Sequence, residues 1–271
     1  MRVAILGAGN LGTTLAVHLS RKGHEVVLWT VEEDVHRLVL TRRENPKYLP
    51  GVRLPDSISI TMNGPEALQG ADFALLTVPS DAVRTVVKAL SPWLRKEALL
   101  VNFAKGLEPS SGLRLSQVIR EELGGETPLS VVSGPSIARE ILMENPTAVS
   151  ISSSPIDHAI KAKELLETSF FHLYPTEDMI GVEVGGAFKN VFAIAAGICD
   201  GLGLGTNTKA AIVTRGMEEL VLLGKAFGAS PETLYGLSGL GDLVVTSFSP
   251  LSRNRRFGAV SYTHLTLPTK A

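Results

Sequence analysis

The stretch RVAILGAGNLGTTLAVHLSRKGHEVVLW, Arg2–Trp29, decides how this chain begins to fold. Val3–Leu6 is a short apolar run that ends at Gly7. Leu11, Leu15 and Leu19 then recur at helical spacing until Gly23 stops the pattern, and Glu25–Trp29 is a second apolar run. Strand, glycine turn, helix and strand make a βαβ unit. The turn itself, GAGNLG, is a G-x-G-x-x-G with glycines at Gly7, Gly9 and Gly12. In this setting the first glycine permits the tight turn, the second lets the backbone approach a pyrophosphate, and the third lets helix and strand pack closely. The phosphates then meet the free N–H groups of the helix N-terminus, where the helix dipole favours negative charge. The loop predicts a dinucleotide site.

The end of the second strand bears on which dinucleotide. An acidic residue there bonds the ribose 2′-hydroxyl of NAD, whereas an arginine accepts the 2′-phosphate of NADP. The strand runs on as LWTVEED, with no arginine before Arg37 and with Glu32 and Glu33 close to the acidic position. That leans toward NAD, although the same two glutamates would also serve as the first turn of the next helix.

Working outward, further apolar runs predict strands at Ile58–Thr61, Phe73–Val78, Leu99–Phe103, Ser130–Ser133 and Ala148–Ser152. Amphipathic segments such as Asp81–Leu90 and Leu113–Leu123 lie between them, and Pro46–Pro55 reads as a loop. Strands alternating with helices at this spacing imply a parallel sheet covered on both faces. After about residue 178 the character changes to two long helical stretches, Ile180–Asp200 and Thr206–Phe227, separated by GLGLGT. The expected architecture is α/β: a Rossmann-type doubly wound parallel sheet over residues 1–178, then an all-helical substrate and catalytic domain over 179–259.

Bulk composition excludes several function classes. Hydrophobic residues make up 44% and charged residues 20% of the 271, as in ordinary globular proteins. The net charge of −1 supplies no general attraction to nucleic acid or to a membrane surface. The single cysteine, Cys199, forms no internal disulfide, and the N-terminus enters a strand at once instead of an apolar leader. A cytoplasmic location follows as the expectation, with no nucleic-acid partner and no integral membrane association; a homodimer stays open.

Four further segments carry polar groups suited to phosphate and carbonyl chemistry. NFAKGLE puts Lys105 just past a strand, at the sheet edge where ligands of open α/β folds bind. SGPSIARE offers Gly134 and Ser136 between a strand and a helix start. SGLGDLVVT holds Asp242 and Thr246, and LSRNRRFG gathers Ser252, Arg253, Asn254, Arg255 and Arg256. An arginine fork suits a phosphate, and serine or asparagine adds donors without charge. Singly, each has a plain alternative as a solvated lysine, a helix cap or a surface patch.

Lys189 poses a sharper question. Within EVGGAFKNVFAIAAG, Glu183–Gly197, it is flanked by apolar and small residues, and between Ile180 and Cys199 the only charged side chains are Glu183 and Lys189. A lysine there either snorkels to water or is buried, and burial lowers its pKa toward the range a general acid–base needs.

Taken together, GAGNLGTTLA, NFAKGLE, SGPSIARE, VGGAFKNVFAIAAGICDGLGLGTNTKAAIVTRG, GLSGLGDLVVT and SPLSRNRRFG resemble bacterial NAD(P)-dependent glycerol-3-phosphate dehydrogenase over residues 1 to about 258. The resemblance implies interconversion of dihydroxyacetone phosphate and sn-glycerol 3-phosphate with NAD or NADP, NAD slightly favoured, supplying phospholipid synthesis. It implies catalytic roles for Lys189 as proton acceptor, Lys105 and Asp242. It implies cofactor contacts at Gly7, Gly9, Asn10, Leu11, Gly12, Lys105, Ala138 and Arg253, and no metal. It implies substrate contacts at Lys105, Gly134, Ser136, Lys189, Asp242, Thr246, Ser252, Arg253 and Asn254. Two positions depart from the pattern: Asn10-Leu11 stands where the family usually has Ser-aromatic, and Val31 where a His or Arg is frequent. Other two-domain dehydrogenases, acting on 3-hydroxy acids or ketopantoate, and a non-catalytic nucleotide-binding protein are the alternatives. The SRNRR cluster argues against the former, whose carboxylate substrates need no phosphate grip. Finally, residues 260–271, VSYTHLTLPTKA, break the preceding pattern and are expected to be a non-native tail on an incomplete second domain.

Overall fold

A computed structural model describes residues 1–265. Its first part is an eight-stranded sheet built from β1 (Arg2–Leu6), β2 (Glu25–Trp29), β3 (Ile58–Thr61), β4 (Phe73–Leu76), β5 (Leu99–Asn102), β6 (Leu129–Ser133), β7 (Thr147–Ser152) and β8 (Phe171–Thr176). The helices between them are α1 (Asn10–Arg21), α2 (Glu33–Arg42), α3 (Gly64–Leu68), α4 (Val83–Leu90), α5 (Leu115–Leu123), α6 (Ala138–Leu142) and α7 (Ile156–Leu166). The strand order is β3-β2-β1-β4-β5-β6-β7-β8. Its first six strands are parallel and follow the doubly wound order of dinucleotide-binding folds. The sheet has an apolar layer on each face, one around Ile5, Leu15, Leu28 and Phe171, the other around Leu6, Leu76, Val118 and Val131.

Two features differ from the expected parallel sheet. β7 runs antiparallel to β6, with Val132 opposite Ile151, and β8 then pairs parallel to β7. β8 itself lies in a segment where no strand is expected. It is an edge strand, with Phe171 and Leu173 buried and His172 and Tyr174 exposed. A half-exposed edge that carries a histidine and ends near Pro175 shows no continuous apolar run, so the pattern that marks the central strands is absent.

The rest is helical: α8 (Met179–Gly201), α9 (Thr206–Phe227), α10 (Pro231–Tyr235), a π-helical turn at Leu237–Gly241, α11 (Asp242–Phe248) and α12 (Arg253–Leu265). Asp178 caps α8 by accepting the Gly181 N–H at 2.8 Å, and its other oxygen accepts the Ser230 N–H at 2.9 Å. α8 is long and apolar enough to cross a membrane by length and composition. Here it is the central helix of the second part, packed against α9, α11, α12 and β6. Its glycines permit that packing. A Cβ on Gly185 would lie 2.6 Å from the Ser238 carbonyl oxygen, and one on Gly186 would lie 2.3 Å from Ser133 Oγ. α12 runs on through residues 260–265 of the expected tail, and residues 266–271 lie outside the described part of the chain.

Candidate active site

The glycine loop has the form that the sequence pattern requires. Gly7 takes φ +120°, a conformation that a side chain disfavours, and its N–H donates to the Trp29 carbonyl at 3.1 Å. A Cβ on Gly12 would fall 1.9 Å from the Gly7 carbonyl oxygen, so only glycine lets α1 sit this close to β1. A Cβ on Gly9 would meet nothing within 4 Å: this side of the loop faces open space. Gly9 is also the N-cap of α1, has no side chain to satisfy the helix N–H groups, and no acidic residue follows in the first turn. An uncapped, uncharged helix start opening on free space fits an anionic pyrophosphate. Asn10 is exposed at the start of α1, and Leu11 packs on the core of the sheet domain. Thr77, just past β4, donates to the Leu6 and Gly7 carbonyls at 3.1 and 2.9 Å and fixes the loop from the neighbouring strand.

At the carboxyl ends of β5 and β6 a second cluster forms. Lys105 donates to the Gly134 carbonyl at 2.8 Å, to Ser136 Oγ at 3.3 Å and to Asp242 Oδ2 at 2.6 Å. Gly134 adopts φ +140°, and a Cβ there would press 3.0 Å from the Val149 Cα, so its carbonyl is offered to Lys105 by a turn that suits glycine. From the helical side, Lys189 donates to Asp242 Oδ1 and, at 3.0 Å, to Thr246 Oγ1. Asp242 and Thr246 sit one turn apart on α11, so both face α8.

Lys189 is buried, and so is Asp242. Burial, reinforced by the nearby Lys105 ammonium, pulls the Lys189 pKa from 10.5 to about 8, against the opposing pull of Asp242. The lysine in the apolar helix therefore points inward, not to water.

The SRNRR segment divides by role. Ser252 Oγ accepts the Arg255 N–H at 3.2 Å, acting as a cap at the start of α12. Arg255 donates to Asp200 Oδ2 at 2.5 Å, and Lys209 donates to the other oxygen at 3.0 Å, so this arginine is committed to joining α8, α9 and α12. Asn254 Nδ2 donates to Asn190 Oδ1 at 2.6 Å, next to Lys189. Arg253 is exposed and has no ion pair or hydrogen bond among the described residues, leaving its fork open. Ala138 begins α6, two residues beyond Ser136, and α6 packs beside α1.

Residues 2–159 match the NAD-dependent glycerol-3-phosphate dehydrogenase N-terminus, and residues 178–268 match the NAD-dependent glycerol-3-phosphate dehydrogenase C-terminus. The chain belongs to the NAD-dependent glycerol-3-phosphate dehydrogenase family. It is 46% identical over 259 residues to the glycerol-3-phosphate dehydrogenase [NAD(P)+] of Citrifermentans bemidjiense, an overlap covering 95% of this chain and 77% of that protein. The corresponding Bacillus velezensis protein is also 46% identical, with 95% and 75% covered. Among solved structures, glycerol-3-phosphate dehydrogenase from Coxiella burnetii superposes with a TM-score of 0.93 at 41% identity, over 97% of this chain and 80% of that one. A ketopantoate reductase from Ralstonia eutropha shares the fold alone, with 16% identity and a TM-score of 0.54.

Within this dehydrogenase family member, several residues at the site have no counterpart among those that the motifs single out. Asn190 is one: a lone amide inside an apolar helix is the available signal, and the adjacent Lys189 masks it. Thr77 and the buried Asn45 are others, since both brace the glycine loop from outside the G-x-G-x-x-G motif.

Proposed function

We propose that this chain interconverts dihydroxyacetone phosphate and sn-glycerol 3-phosphate, with Lys189 as the proton-transfer residue. The observation that carries this reading is the meeting of Lys189 and Lys105 on the Asp242 carboxylate, at the sheet edge that also bears the glycine loop. The relatives' names supply the substrate class, and the residues present supply a chemistry that suits it. When bound, the nicotinamide cofactor supplies or accepts the hydride.

In the reducing direction the ketone carbon gains a hydride and its oxygen gains a proton. Lys189, with a pKa of about 8, holds that proton near neutral pH and releases it as negative charge develops on the oxygen. Lys105 carries a second positive charge into the same space and favours the developing alkoxide. Asp242 orients both ammonium groups and balances their charge, while Thr246 fixes the remaining direction of Lys189. In the oxidising direction the neutral Lys189 amine takes the hydroxyl proton.

Arg253 and Asn254, at the start of α12, grip the substrate phosphate, and that remote contact helps place the reacting carbon against Lys189. Gly134, Ser136 and Ser252 line the approach. Gly7, Gly9, Asn10, Leu11 and Gly12 would hold the cofactor, together with Lys105, Ala138 and Arg253. The product is the glycerol phosphate unit that phospholipid synthesis requires, and the cytoplasm is the natural setting for this reaction.

Following NADH absorbance with dihydroxyacetone phosphate as substrate tests the proposal. Turnover with this substrate, and none with ketopantoate or 3-hydroxy acids, is the expected result. Turnover of ketopantoate at a comparable rate would overturn it.

A further inference from the structure

The adenosine end of the glycine loop carries a charged cluster that the proposed reaction does not use. Past β2, Thr30 Oγ1 accepts the Glu32 N–H at 3.1 Å, and the chain turns into α2 with Glu32 at its N-cap. The Glu32 carboxylate is held on both oxygens. Tyr48 donates to Oε1 at 2.9 Å, and Lys47 donates to Oε2 while reaching Asp34 at 3.4 Å.

Lys47 and Tyr48 are not on a loose surface loop. Asn45, fully buried, donates from Nδ2 to the Ala8 carbonyl and to Thr13 Oγ1, each at 2.9 Å. Its own carbonyl accepts the Leu49 N–H at 2.8 Å. The segment is thus fastened to the glycine turn itself, and the Lys47 ammonium is kept beside the end of β2.

In this strand order the end of β2 faces the ribose of the adenosine half. A carboxylate has about four lone-pair directions, so two donors leave Glu32 able to accept a ribose hydroxyl as well. A 2′-phosphate there would add roughly −1.5 to −2 charge against Glu32, Glu33 and Asp34, which disfavours it. Lys47 is the opposing element. Its pair with Glu32 is half-exposed, and exposed pairs are worth little, so the ammonium can exchange carboxylate for phosphate at small cost.

We propose that Glu32 and Lys47 together set the choice between NADH and NADPH. Glu32 accepts the 2′-hydroxyl and repels a 2′-phosphate. Lys47 swings from Glu32 to the phosphate, while Tyr48 keeps the freed carboxylate in place. The chain therefore takes both cofactors and holds NADH more tightly. This rests on the glycine loop being a dinucleotide site.

Dissociation constants for NADH and NADPH, measured by nicotinamide fluorescence without substrate, test it in the wild type, Lys47→Gln and Glu32→Gln. Melting curves with and without each nucleotide provide a second readout and show that the variants fold. Lys47→Gln should weaken NADPH by about ten-fold and NADH by less than about two-fold. Glu32→Gln should weaken NADH and tighten NADPH. Added salt should weaken NADPH more in the wild type than in Lys47→Gln. A wild type that binds NADPH more tightly than NADH, or an unchanged NADH-to-NADPH ratio in either variant, overturns the proposal while leaving the dinucleotide site standing. A wild type that binds neither nucleotide overturns the dinucleotide site as well.

Discussion

Lys105, on the loop after β5, and Lys189, on the first helix of the second part, are held on opposite oxygens of one carboxylate, that of Asp242. Two ammonium groups brought this close repel each other, and the buried Asp242 makes the arrangement tolerable. The same contact joins the sheet to the helices, beside the packing of α8 on β6 and the Glu183 contacts to the start of α5.

Removing the Lys189 amine should remove turnover and little else at the cofactor end. Lys189→Ala is expected to lower kcat by about 10²–10⁴, the usual worth of a positioned acid–base, with NADH affinity nearly unchanged. Steady-state kinetics beside a fluorescence titration checks both halves, and near-normal turnover would exclude the assigned role.

The pH profile follows from the lowered Lys189 pKa. Oxidation of glycerol 3-phosphate needs the neutral amine, so its rate should rise through pH about 8 and level off above. Reduction needs the ammonium, so its rate should fall through the same range. Asp242→Asn takes away the group that raises the Lys189 pKa, so the inflection should move to lower pH. An inflection unmoved by this substitution would assign it to another group.

Stability carries the same signature. The folded-state pKa is about 8 against 10.5 for a free lysine, so between these values the unfolded chain binds more protons. Stability therefore rises with pH across that window, and at neutral pH the buried ammonium is a cost. Raising the pH from 7 to 10 should therefore stabilise the wild type by roughly 1–3 kcal/mol more than it stabilises Lys189→Met, which lacks the titrating group. Urea unfolding of both proteins at the two pH values reads it directly; an equal pH response in wild type and variant would contradict the lowered pKa.

Glu183 makes the opposite prediction. Its buried carboxylate accepts the Ser116 N–H and hydroxyl, each at 2.7 Å, and the Arg114 guanidinium at 2.6 Å, tying the start of α5 to α8. Glu183→Ala leaves Arg114 and the Ser116 N–H without their partner and should cost about 3–5 kcal/mol in urea unfolding. A loss below 1 kcal/mol, the scale of an exposed pair, would mean that the contact is dispensable.

Arg253 and Gly258 test α12. Arg253→Ala should raise KM for dihydroxyacetone phosphate about ten-fold or more, through loss of a charge-assisted contact, and have far less effect with unphosphorylated dihydroxyacetone. A Cβ on Gly258 would lie 2.1 Å from the Ile194 carbonyl oxygen, so Gly258→Ala must push α12 away from α8. The Asn254–Asn190 contact then opens, and activity should fall while NADH binding to the sheet domain persists. Equal losses of both would place the glycine's effect elsewhere.

Much of this architecture is written locally. The apolar runs of β1 to β7, the glycine turn and the two long helices each lie within a few residues, and strand or helix periodicity marks them. The same locality places Lys189 in an apolar helix and Lys105 past a strand. What local pattern does not carry is set by contacts between distant residues. Lys105 and Asp242 are separated by 137 residues, and Lys189 and Asp242 by 53, so no spacing rule brings them to one point. The reversal at β7 and the edge strand β8 depend on which neighbour offers a hydrogen-bonding edge. Within SRNRR the arginines are chemically alike, and only the packing of α12 on α8 commits Arg255 to Asp200 and leaves Arg253 open to solvent. Local pattern thus marks every strand but the edge strand β8, the two long helices and the residue types available for chemistry. The tertiary structure decided which of them share a carboxylate, because burial and charge pairing are properties of the folded surroundings.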